Sequence, residues 1–316
     1  MDTTLLLAHT ISPDWSRDLV SELKTRLPEG LIENATTPAE TTEKVVEADI
    51  LVVGRLQNEW LAQAQELTLV QSLWAGVDMY PLDRIDEAGV AMANASGVHA
   101  KPIAEHVLGY MLQFERGLTQ AVKNRRRGVW EHISGGELGT KTVGIIGVGE
   151  IGSRVSELAT AFGMETVGTK RDTSSAPASI DTIFPASEYQ TVLQQSDYLV
   201  LSCPLTETTE GLLGVDEFRM LNRDATVINV ARGEIIDQTA LVRALRSGMI
   251  QGAALDVFEQ EPLPPESPLW DLSNVIVTPH MAWRSPQTTQ RWADLLVENY
   301  RAVASKETDS IVNRVL

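Results

Sequence analysis

Three segments of this chain end an apolar run in side chains able to hold an anion or move a proton: Val227 to Asp237, Ala254 to Pro262 and Val277 to Trp283. The first carries Arg232, the second Asp256, Glu259 and Glu261, and the third His280. A guanidinium grips planar anions through several donors and keeps its charge at any working pH. A carboxylate beside an imidazole favours the protonated ring and fixes its tautomer, which suits the pair to general acid and base work. In open α/β sheets ligands bind outside the carboxyl ends of the strands, so the three segments are expected to converge on one crevice.

A fourth segment has the chemistry of a phosphate cradle. The apolar run Thr142 to Ile146 leads into Gly147-x-Gly149-x-x-Gly152, followed by Val155, Leu158, Ala159 and Phe162 at helical spacing. Gly147 suits a tight turn, Gly149 a backbone that approaches a pyrophosphate, and Gly152 close helix-to-strand packing. The expected dinucleotide contacts are these glycines with Glu150 and Ile151 at the helix start, whose N-terminus faces the anion. A second strand, Glu165 to Thr169, runs into Lys170, Arg171 and Asp172, with Lys170 18 residues after Gly152. An acid at that place would bind a ribose 2′-hydroxyl and a cation a 2′-phosphate. Lys170 and Arg171 therefore favour NADP(H), and Asp172 leaves NAD(H) open.

The elements that must position these groups form two α/β series. In the first, β-like runs at Thr4 to Ala8, Asp49 to Gly54, Leu67 to Leu73 and Val90 to Ala93 go with a helix-like stretch at Pro13 to Leu27. A long helix is expected from Pro102 to about Arg127, with Ala104, Val107, Leu108, Met111, Leu112 and Leu118 near helical spacing. The second series opens at Thr142 and continues through Tyr198 to Ser202, Ala225 to Val230, Gly252 to Leu255 and Val275 to Val277. Pro286 to Ala304 reads as a closing helix, with Trp292, Leu295, Leu296 and Tyr300 on one stripe. With 316 residues, two domains are expected. No flexible linker separates them, so the chain is expected to cross through helices and leave a cleft.

Composition excludes several partners. Asp plus Glu number 43 against 26 Lys plus Arg, a formal charge of -17, which argues against nucleic acid and anionic membrane. The cations are 7 Lys and 19 Arg, a pairing of acidity with lysine loss that resembles proteins of high intracellular salt. At about 1 M salt the Debye length is roughly 3 Å, so the self-repulsion would be screened. The single Cys203 forms no intrachain disulfide and fits a reducing compartment. The start Met-Asp-Thr-Thr-Leu has no basic leader, and no apolar run approaches the roughly 18–20 residues of a membrane span. A soluble cytoplasmic protein is expected, and no metal site is read.

The glycine fingerprint, the Asn-x-x-Arg-Gly-x-x-x-Asp segment, the Asp-Val-Phe-x-x-Glu-Pro segment and the Pro-His element stand in the order and approximate spacing of a known family. Over nearly its whole length the chain resembles the D-isomer-specific 2-hydroxyacid dehydrogenases. The resemblance implies reversible reduction of 2-oxo acids to (R)-2-hydroxy acids. It also implies a Rossmann-type dinucleotide-binding domain, residues 100–286, inserted in a discontinuous flavodoxin-like substrate domain, residues 1–99 and 287–316. A homodimer built on the Pro102–Arg127 helix goes with it.

By matching motif the catalytic set is Arg232, Glu261 and His280, with Arg232 holding the substrate and His280 the general acid raised by Glu261. Glu259 is a rival carboxylate, but the family's acid immediately precedes proline. Asp256 matches the acceptor for the nicotinamide carboxamide, and Cys203 and Pro204 match a loop lining the cofactor. Val230, Ala231, Arg232 and His280 border the same cofactor. Trp74 to Asp78 resembles the family's glycine loop, making Ala75, Gly76 and Val77 expected substrate contacts, with Trp74 and Trp283 as pocket walls. His99 and Lys101-Pro102 depart from the family's commoner residues. Two other roles exist on this fold. Formate-oxidising relatives typically carry Gln where Glu261 stands, which speaks against that activity and leaves phosphite oxidation open. A nucleotide-sensing corepressor would need docking segments that are not evident.

Overall fold

The computed structural model describes residues 3–27 and 30–316; Met1 and Asp2, part of the start read above as lacking a basic leader, lie outside them. The chain divides into two compact units, residues 1–99 with 285–316, and residues 100–284. The second crossing falls at Ser285, slightly before the expected 287. The turn there closes with the Thr288 N–H donating to the Ser285 carbonyl, where the last helix begins.

In the first unit the order is β1 (Thr4–Leu7), α1 (Pro13–Arg26), β2 (Leu31–Asn34), α2 (Pro38–Lys44), β3 (Ile50–Val53), α3 (Asn58–Gln63), β4 (Leu69–Ser72), α4 (Leu82–Glu87) and β5 (Ala91–Ala93). The five strands are all parallel in the order β2-β1-β3-β4-β5, the flavodoxin-like arrangement. Strands β3 and β4 are buried along their whole length, as a sheet covered on both faces requires. Ser12 caps α1, with Pro13 opening the helix where its missing N–H costs nothing.

The second unit runs α5 (Ala100–Glu115), α6 (Leu118–Arg126), β6 (Thr142–Ile146), α7 (Glu150–Ala161), β7 (Glu165–Lys170), β8 (Thr182–Pro185), α8 (Tyr189–Gln195), β9 (Tyr198–Leu201), α9 (Val215–Met220), β10 (Thr226–Asn229), α10 (Gln238–Ser247), β11 (Gly252–Leu255) and β12 (Val275–Val277). Its seven parallel strands lie in the order β12-β11-β10-β9-β6-β7-β8, so the order reverses between β6 and β9. Such a reversal makes a crevice at the carboxyl ends, where dinucleotides bind. The final helix, α11 (Thr288–Ala304), returns to the first unit and packs on α1.

One element departs from expectation. The stretch from Pro102 to Arg127 is two helices, broken at Arg116 and Gly117, with Gly117 left-handed at φ 61°. A side chain at Gly117 would strike Ile133, so the chain turns where only glycine fits.

Candidate active site

The phosphate cradle stands at the head of β6. Gly147 has φ 95°, and a Cβ there would come within 2.6 Å of the Cys203 backbone, so glycine is required for the loops after β6 and β9 to touch. The end of β7 ties the cradle down at three points. Gly147 N–H donates to Thr169 Oγ1 (3.2 Å), Val148 N–H to the Thr169 carbonyl (2.8 Å), and Lys170 Nζ to the Val148 carbonyl (2.7 Å). Gly149 is the cap residue of α7, no side chain caps the helix, and a Cβ on it would meet open space. The first N–H groups of α7, without a side-chain cap and beside open space at Gly149, fit a pyrophosphate, whereas the Gly149 N–H itself donates to the Gly147 carbonyl (2.9 Å).

The side chains that would read the ribose are arranged unequally. Lys170 is half-buried with its ammonium on the loop carbonyl, whereas Arg171 is exposed. Asp172 caps the turn Thr173–Ser175, its Oδ1 accepting from the Ser174 hydroxyl (2.6 Å) and N–H (3.1 Å), and these bonds hold its pKa below the usual carboxylate range. Cys203 is buried, and burial pushes its thiol up to about 11, leaving it an inert packing group. Pro204 is exposed beside it, its carbonyl held by Thr209.

The candidate catalytic side chains lie on the loops that follow the carboxyl ends of neighbouring strands. After β10, Asn229 bridges its own loop: its amide donates to the Arg232 carbonyl (2.8 Å), and its Oδ1 accepts from the Ala231 N–H (3.0 Å). Val230 and Ala231 are buried beneath Arg232, whose Nη1 donates to the Ala231 carbonyl (2.8 Å). Gly233 comes next, and a Cβ on it would lie 1.8 Å from the carbonyl carbon of Phe258. Only a residue without a side chain lets the Arg232 loop meet the Glu261 loop, a requirement the motif alone did not reveal.

Glu261 and His280 are paired directly, His280 Nδ1 lying 2.7 Å from Glu261 Oε2. The other oxygen of Glu261 accepts from the Phe258 N–H (3.1 Å), which fixes the rotamer. The rival Glu259 is committed elsewhere, receiving the Gln238 N–H at the start of α10. His280 is raised above the ordinary imidazole value by its hydrogen bond to Glu261, against the lowering effect of burial, with Asp256 adding to the rise and Arg232 opposing it. On Glu261, burial works upward and is outweighed by the hydrogen bond and charge of His280, with the Phe258 N–H and Arg232 assisting, so it stays below its usual range. With Nδ1 donating to the carboxylate, Nε2 is the atom available for proton transfer.

Asp256, at the end of β11, is buried. Its Oδ1 accepts from the Thr278 hydroxyl (2.5 Å) and the Met281 N–H (2.9 Å), and its Oδ2 from the Ala282 N–H (2.9 Å). One lone pair of Oδ2 is left over from these bonds. Trp283 folds back with its indole N–H on the His280 carbonyl (3.0 Å), and Arg284 lies 5.7 Å above its ring.

In the first unit, Ala75, Gly76 and Val77 follow β4 on a partly exposed loop. The Trp74 indole donates to the Gly54 carbonyl (2.9 Å), the Trp74 N–H to Ser72 Oγ (2.9 Å), and the Asn94 amide to the Ala75 carbonyl (2.8 Å). His99 is a core group packed between Trp74 and Trp292, and burial drives its imidazole down to about 4.

A doubly wound parallel sheet with a glycine cradle, and an arginine, a carboxylate and an imidazole at its strand ends, defines a nicotinamide-dinucleotide oxidoreductase. A profile of the D-isomer specific 2-hydroxyacid dehydrogenase, NAD binding domain, matches residues 108–282. The D-3-phosphoglycerate dehydrogenase of Methanocaldococcus jannaschii is 33% identical over 292 residues, which cover 90% of this chain and 56% of that protein. The glyoxylate reductase of Aeropyrum pernix is 36% identical over 294 residues, 88% of this chain and 87% of that one. A D-isomer specific 2-hydroxyacid dehydrogenase from Xanthobacter autotrophicus Py2, solved with NADPH and MES, superposes with a TM-score of 0.89 at 30% identity, covering 100% of this chain and 98% of that one. This chain belongs to the D-isomer-specific 2-hydroxyacid dehydrogenase family and is an NAD(P)-dependent enzyme of that kind. Among the described residues no helix is long and apolar enough to cross a membrane.

Proposed function

We propose that the enzyme interconverts small 2-oxo acids and (R)-2-hydroxy acids with NADP(H) as the preferred coenzyme and NAD(H) as a second one. The single observation that carries the chemistry is the 2.7 Å contact of His280 Nδ1 with Glu261, within the field of Arg232. Bound reduced nicotinamide supplies the hydride. Arg232 holds the substrate carboxylate and polarises the carbonyl oxygen. As the carbonyl carbon is reduced, His280 Nε2 gives its proton to the nascent alkoxide, and Glu261 stabilises the imidazolium until then. The lone pair left on Asp256 Oδ2 suits an amide donor such as the nicotinamide carboxamide. Trp283 walls the pocket.

The substrate class follows relatives that carry the name glyoxylate reductase, and NADPH accompanies the Xanthobacter structure. Exposed Arg171, with Lys170 beside it, supports recognition of a 2′-phosphate. Assembly as a homodimer through α5 and α6, a cytoplasmic setting and adaptation to salt complete the reading.

A screen of 2-oxo acids with both coenzymes tests it. Glyoxylate or hydroxypyruvate should be reduced, with higher kcat/KM for NADPH than for NADH. Lys170→Asp and Arg171→Asp should each move that ratio towards NADH by about tenfold or more, the loss of one charge-assisted contact. An unmoved ratio in both variants places phosphate recognition elsewhere.

A further inference from the structure

The hydrogen bonds that meet at Asp256 continue past the catalytic loop into α5. Thr278, Met281 and Ala282, which donate to its carboxylate, all lie within two residues of His280, and the His280 N–H itself donates to the Asp256 carbonyl (2.8 Å). His280 is left-handed, φ 48°, a conformation that costs a non-glycine residue energy and persists only where neighbours impose it. Asp256 imposes it.

Thr278 has a single hydroxyl proton, and it goes to Asp256. Its oxygen must therefore accept from the Tyr110 hydroxyl, with which it is in hydrogen-bond contact. Tyr110 is buried on α5, and burial pushes its acidity far out of the working range, so the phenol remains a donor. His106, one turn earlier, lies edge-on to the Tyr110 ring at 4.5 Å, with Nε2 3.4 Å from the same threonine oxygen. Burial lowers His106 below the ordinary imidazole value, against the raising effect of the Asp256 charge.

We propose that Tyr110 and Thr278 are positioning residues for the reaction: the donor chain Tyr110 to Thr278 to Asp256 orients the buried carboxylate that holds the His280 loop, and so sets the hydrogen bond between His280 and Glu261. This rests on the role given to His280 above. A purely structural explanation is that Thr278 only satisfies a buried phenol. The two differ in what His280 feels. The charged groups acting on its ring are Glu261, Asp256 and Arg232, and none of them is removed by changing Tyr110 or Thr278. A shift in its titration then reports a change of geometry.

The experiment compares wild type with Tyr110→Phe, Thr278→Val and Thr278→Ser in the intact protein. The His280 imidazole is titrated by NMR, and kcat, coenzyme KM and the pH profile of 2-oxo acid reduction are measured alongside. In Tyr110→Phe and Thr278→Val, the His280 pKa should fall towards the ordinary value and kcat should drop about tenfold, equivalent to one hydrogen bond. Thr278→Ser, which keeps the hydroxyl, should restore both. An unaltered titration in Tyr110→Phe, which loses one oxygen and keeps the ring, overturns the proposal even if Thr278→Val does not fold. NMR titration needs no turnover. A wild type that reduces no 2-oxo acid would therefore contradict the functional reading, while the NMR comparison still decides the network.

Discussion

At the residue scale the proposed reduction depends on one imidazole having its proton when the alkoxide forms. Reduction requires the imidazolium, so kcat/KM should be level below the His280 pKa and fall as pH rises through it. Because the hydrogen bond to Glu261 raises that pKa, the basic limb is expected above the ordinary value of about 6.5. Glu261→Gln removes the charge and keeps the size. Its basic limb should move to lower pH, and a limb unchanged in the pH–rate profile would mean that Glu261 does not set the acid. The Arg-Gly, Glu-Pro and Pro-His motifs made these side chains legible, because their chemistry is tied to residue type. What held them in place was not. Asp256 could be read as a strand-end acid, but its grip on the Met281 and Ala282 N–H groups depends on a backbone turn that no residue type announces.

At the element scale the close approach of two loops decides whether the residues meet. Gly233→Ala puts a methyl group 1.8 Å from the Phe258 carbonyl carbon, and the loops must part to admit it. A loss of stability of about 1–3 kcal/mol is expected, as for an overpacked site, with kcat falling well beyond what that loss explains. Urea unfolding and steady-state rates measured on the same preparation check this; near-normal turnover would show that the loops tolerate separation. Strands buried on both faces, such as β3 and β9, were plain in the sequence as apolar runs. The edge strands β2 and β8 were not, since their residues are only partly buried and carry no such run. The break between α5 and α6 was hidden for a related reason: the apolar spacing resumes at Leu118, and one glycine in a helical pattern does not betray its φ.

At the scale of the whole molecule, charge is the dominant feature. With 43 acids against 26 cations, many carboxylates have no cation to pair with. Raising salt from about 0.1 M to about 2 M should raise the unfolding temperature by several degrees as the repulsion is screened, and equal melting curves would contradict salt adaptation. Against that negative field the enzyme must attract two anions, and the function proposed for Arg171 and Arg232, which follow β7 and β10, supplies positive charge for both. The most direct test of the central claim is the rate of NADPH oxidation by glyoxylate or hydroxypyruvate in wild type, Arg232→Ala and His280→Gln, with coenzyme binding followed separately. Turnover is expected in wild type, near-total loss in Arg232→Ala, a roughly 10²–10⁴-fold loss in His280→Gln, and coenzyme binding retained in both variants. Near-normal rates in either variant would contradict the claim.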